Sequence, residues 1–122
     1  MNFLRYFFGK NNDKIAQEAI QAYFNKLPSR IEVAWFREDG LIVGKILTDK
    51  NEEIYTQGRN PKEFVEMVND SVYTAFDINP EYFEVMKSTS RSYQPPELEW
   101  NKLRNAKVEH SEFSLEKQLV AA

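Results

Sequence analysis

Few side chains in this 122-residue sequence could do covalent chemistry. Its single histidine, His110, stands between Glu109 and Ser111. Serine and histidine adjacent in sequence do not make a triad, which needs convergence in space and an orienting acid. His110 therefore reads as a solvated residue of a polar tail. There is no cysteine, which excludes disulfide frameworks, thiolate metal sites and cysteine nucleophiles. Carboxylates pair at Glu38/Asp39 and Glu52/Glu53 on turns, and at Glu63/Glu66/Asp70 along a helix. A hard-cation site needs several oxygens converging, and no calcium-loop spacing is present. The four glycines are isolated, so no glycine-rich phosphate loop exists. The expectation is a non-enzyme: no catalytic residue, no cofactor and no metal.

Binding is the remaining class. Phe36 and Tyr55 fall on strand-like runs, where exposed aromatics can stack bases. Neither run interleaves basic residues, and the chain carries a net charge of −3, so direct nucleic-acid binding is disfavoured and a core role for Phe36 or Tyr55 is the expectation. Residues 1–61 are net +1 and residues 62–122 net −4; an acidic half suits a basic partner. Ile54 and Tyr55 on the third strand, with Phe7 and Phe8 near the N-terminus, are the candidate partner-binding residues. Met1 to Phe8 is apolar but interrupted by Asn2 and Arg5, and far short of the ~20 residues that span a bilayer. It also lacks the features of a secretory signal. The sequence thus predicts a cytoplasmic protein without membrane contact, whose partner is a protein or a second copy of itself.

The elements that must position these residues follow from spacing. Ile15, Ala16, Ala19, Ile20, Tyr23, Phe24 and Leu27 recur every three or four residues, predicting a helix over 13–26 that Pro28 stops. Ile31, Val33 and Trp35 alternate with Glu32, Ala34 and Phe36 in a strand over 31–37. Asp39-Gly40 then predicts a type I′ hairpin, which opposes Glu38 with Leu41, Phe36 with Val43, and Trp35 with Gly44. The second strand, 41–48, is apolar on both faces and is placed centrally. A third strand covers 53–57. Asn60, Pro61 and Glu63 specify a helix start as N-cap, first helical residue and acidic first turn. That helix is predicted over 61–76, buried along Phe64, Val65, Val68, Val72, Ala75 and Phe76. A short helix is expected near 80–87.

Residues 88–96 hold three serines, a threonine and two prolines, which predicts a linker. The domain is therefore placed at 1–87, with 88–122 a linker and a partly ordered C-terminal helical tail. The fold class is α+β: a three-stranded antiparallel meander followed by a packed helix.

The run from Glu38-Asp39-Gly40-Leu41-Ile42-Val43 through Tyr55-Thr56-Gln57-Gly58 to Asn60 and Glu63-Phe64 resembles the HicB-like antitoxin family over about residues 31–77. The N-terminal helix is additional to that pattern. The resemblance implies a βββα module that binds and neutralises a small basic RNA-cleaving toxin. The alternatives are a single-stranded nucleic-acid binder using the sheet face, and a standalone oligomerisation or structural module, including a homodimer.

Overall fold

A computed structural model describes residues 17–48, 52–105 and 108–115. Residues 17–26 form a helix, α1, which buries Ile20 and Phe24, with Leu27 beyond its end. The predicted first turn, 13–16, lies outside the described residues. Two strands follow, β1 (Arg30–Glu38) and β2 (Leu41–Leu47), joined at Asp39-Gly40. Asp39 has φ 51° and Gly40 φ 80°, the two positive angles that a type I′ turn requires. The expected register is present: Glu38↔Leu41, Phe36↔Val43 and Trp35↔Gly44. A third strand, β3 (Glu53–Gly58), pairs antiparallel with β2.

Next comes α2 (Pro61–Ala75), with its start built as its residue types dictate. The Asn60 side chain accepts from the Glu63 N–H at 2.8 Å, and Pro61 occupies a first-turn position where no backbone donor is needed. The Glu63 carboxylate reaches back past the cap to the Arg59 N–H at 3.0 Å and to the Arg59 guanidinium at 2.8 Å. A 3₁₀ turn (Pro80–Tyr82) leads into α3 (Phe83–Ser88), as the sequence predicts.

Beyond residue 88 the structure departs from expectation. The segment is not a linker with a helical tail. It supplies α4 (Glu97–Asn105) and then a fourth strand, β4 (Val108–Ser114), antiparallel to β1. The three-stranded meander is thus a four-stranded antiparallel sheet of order β3-β2-β1-β4. The reason is burial. Tyr93, Leu103 and Phe113 are fully buried in the same core as the earlier elements, and Phe113 pairs with Ile31 in the sheet. His110 accordingly occupies a strand position opposite Ala34 rather than a tail.

One face of the sheet meets the helices. Ile31, Val33 and Trp35 on β1, with Ile42 and Ile46 on β2, are buried there against Phe64, Val68 and Val72 of α2. Ile20 and Phe24 of α1 join this same core, so α1 does not roof the opposite face. Two glycines let α2 approach. A Cβ at Gly44 would stand 2.5 Å from the Phe64 ring, and one at Gly58 would stand 2.5 Å from the Phe64 backbone nitrogen. Gly44 therefore accommodates Phe64 from above as well as lying opposite Trp35 in the register.

Candidate functional site

The helical side is occupied by structural bonds. Asn69, 1% exposed, is not one of the apolar stripe residues of α2, yet it is buried and clamps the segment after α3. Its amide donates to the Val65 carbonyl at 2.8 Å and the Tyr93 carbonyl at 3.0 Å, and accepts from the Tyr93 N–H. The Tyr73 hydroxyl donates to the Arg91 carbonyl, and the Tyr93 hydroxyl to the Pro28 carbonyl. Burial, then the nearby Asp70 charge, pushes the Tyr73 phenol well above its ordinary range, which keeps it a donor. Residues 89–96 are thereby strapped across the core.

A groove of about 470 Å³ lies between α2, α3, α4 and this strap. Lys62, Glu66, Glu84, Lys87 and Trp100 line it. Its charges answer one another: Lys87 meets Asp70 at 2.9 Å and Glu84 at 3.7 Å. Burial alone pulls the Lys87 amine down, but the Asp70 hydrogen bond and charge, with Glu84 and Glu66, leave it above an ordinary lysine. A lysine held protonated in this way is neither a base nor a nucleophile. Among the described residues no cluster of three acids or histidines could hold a metal ion. No described helix is long and apolar enough to cross a membrane.

The other face of the sheet is different. Strand alternation sends Ala34 and Phe36 of β1, Leu41, Val43 and Leu47 of β2, and Tyr55 of β3 to this outer side. The pairing sets them in rows: Gln57–Val43–Phe36, Tyr55–Lys45–Ala34 and Glu53–Leu47–Glu32. Phe36 is 41% exposed and Tyr55 66%, so neither takes the core role that the sequence suggests; both stand on the face that the described helices leave open. Apolar side chains of Ala34, Phe36, Leu41, Val43 and Leu47 surround Lys45 on this face, and Glu32, Glu38 and Glu53 outnumber Arg30 and Lys45 among its described charges. Lys45 lies 3.8 Å from Glu53. The Tyr55 hydroxyl donates to Glu53 at 2.9 Å, and that bond, with the Glu53 charge, raises the Tyr55 phenol.

The candidate partner-binding residues part company here. Tyr55 is exposed on the outer face. Ile54 is turned the other way and packs half-buried against the core, because successive strand residues alternate faces. Phe7 and Phe8 lie outside the described residues. The side chain of His110 does too, although its backbone is placed. Phe36 shares its face with Tyr55, two strands away and in the neighbouring row. Their companions Leu41, Val43 and Leu47 were visible in the sequence as the second apolar face of β2. Comparison with protein-family models, with curated proteins and with solved structures gives no match to this chain.

Proposed function

We propose that this chain is a non-catalytic protein-binding module that presents the outer face of its sheet to a small basic protein. In the light of the HicB-like resemblance of residues 31–77, the partner is an RNA-cleaving toxin and the chain is its antitoxin. The observation that carries this is the largely apolar outer face around the exposed Phe36, on which the described acids outnumber the bases. A large exposed aromatic on an apolar face that no described element covers marks an interaction site, and an excess of acids selects a cationic partner and speeds encounter.

The test is direct. The purified chain is titrated with a small basic ribonuclease encoded beside it, and RNA cleavage is followed. Inhibition with one-to-one stoichiometry that Phe36→Asp abolishes supports the proposal. A complex that survives both Phe36→Asp and Val43→Asp, or no inhibition at all, refutes it. The same face favours a second reading because Phe36, Tyr55 and Lys45 share it. Salt-sensitive binding of single-stranded oligonucleotides, lost on Phe36→Ala, would make the chain a nucleic-acid binder instead.

A further inference from the structure

We infer that β3 is a self-association edge, on which a second copy adds its own β3 antiparallel to give a continuous eight-stranded sheet. This goes beyond the outer-face proposal and does not rest on it.

The open backbone groups follow from the hairpin. A two-residue loop closes on a hydrogen-bonded pair, Glu38↔Leu41, and bonded pairs then alternate. Val43 and Lys45 therefore bond to β1, while Ile42, Gly44 and Ile46 turn to β3, where they meet Gly58, Thr56 and Ile54. Glu53, Tyr55 and Gln57 are left with their N–H and C=O groups pointing out of the sheet. β3 ends the strand order, and no described backbone group bonds to these three. The strand contains no proline and no bulge, the usual devices that protect such an edge.

The register that opposes all three residues is centred on Tyr55. It sets Tyr55 against Tyr55 of the second copy, and Glu53 against Gln57 of the second copy. Each opposed pair exchanges two hydrogen bonds. Tyrosine meets tyrosine, and no like charges face each other, a combination that favours cross-strand pairing.

The helical layer fits the same two-fold axis. The Phe64 ring reaches over Gly44 of β2 while the α2 backbone abuts Gly58 of β3, so the start of α2 lies over β3 itself. Pairing of the two β3 strands therefore brings the two copies of α2 to the same side of the joined sheet, one on each side of the two-fold axis. Met67 lies roughly 160° around α2 from Asn69, on the flank away from the groove and toward the β3 edge. It is 39% exposed. The large exposed hydrophobics among the described residues are Phe36, Tyr55 and Met67. Two of these three flank this edge, one on each side of the sheet.

Sedimentation equilibrium of the full chain tests the inference. The expected mass is twice the 14.4 kDa chain, falling to one chain mass for Tyr55→Pro. Proline is tolerated there because the Tyr55 N–H points away from β2, and circular dichroism checks the fold. Gln57→Lys, facing Glu53 of the second copy, should tighten the dimer, and Gln57→Glu should loosen it. Each change occurs twice across the axis, so the shift in dissociation constant is roughly 2- to 30-fold. Phe36→Asp should leave the dimer intact while removing a basic partner, which separates failure of this inference from failure of the outer-face proposal. A wild-type monomer over the whole concentration series overturns the inference. So does a dimer that neither Gln57 substitution shifts, and that comparison decides the matter even if Tyr55→Pro fails to fold.

Discussion

Replacing Asn69 with leucine should cost far more than one surface hydrogen bond. The two side chains are close in size, so little cavity is created. What changes is the Tyr93 backbone, whose N–H and C=O both lose their partner in the buried clamp. A buried polar group left unsatisfied costs about 1–3 kcal/mol, giving roughly 2–6 kcal/mol for the two. Better burial of the apolar leucine returns roughly 1.5 kcal/mol. The net loss is therefore about 0.5–4.5 kcal/mol, at its upper end a large share of the ~5–15 kcal/mol that holds a domain folded. At about 4 °C per kcal/mol for a chain between the calibrated size classes, Tm falls by roughly 2–18 °C. Thermal and urea unfolding give the magnitude, and hydrogen exchange at the Tyr93 amide reports whether the strap itself opens. A Tm drop under about 2 °C with Tyr93 still protected would refute the clamp. Tyr73→Phe removes another tie on the same strap; the two losses should be non-additive because they hold one segment.

Three further outcomes are expected. Gly44→Ala should destabilise by about 1–3 kcal/mol as its methyl meets the Phe64 ring; Gly58→Ala should cost more because it meets backbone, and urea unfolding ranks the two. The Glu63 carboxyl is held low by its hydrogen bonds to the Arg59 side chain and backbone, so its contribution is present above the ordinary glutamate range and lost as pH falls through the depressed value. Glu63→Gln should flatten that acid limb in a stability–pH profile. The Lys87 amine is raised above ordinary lysine, so its pairing with Asp70 stabilises fully below the unfolded lysine value and is lost as pH rises through the folded one. Lys87→Gln should reduce the alkaline loss in the same profile.

Local signals were legible where one short stretch carries its own geometry. Asp39-Gly40 has positive φ at both positions, and the turn then dictates the whole β1–β2 register. Asn60-Pro61 and Glu63 define the start of α2 for the same reason, since cap, proline and carboxylate act within four residues. The candidate site was only half visible. Tyr55 is exposed, but Ile54 beside it is not, because exposure depends on which face the helices cover. β2, apolar on both sides, leaves that choice open. Asn69 reads as a surface residue until Tyr93, 24 positions away, supplies its partners.

By itself the amino-acid sequence determined the hairpin, its pairing, the capped helix and the absence of any thiol chemistry. Tertiary structure alone decided that residues 108–114 close the sheet beside β1, that α1 and α2 share one face, and that Phe36 and Tyr55 are both exposed on the other. The physical reason is range. Turn and cap preferences are settled within a few bonds, whereas a strand as polar as Val108–Ser114 is recruited by the burial of Phe113 and the open backbone of a distant neighbour. Which face stays bare is then decided by where the remaining apolar surface of the whole chain can be hidden from water.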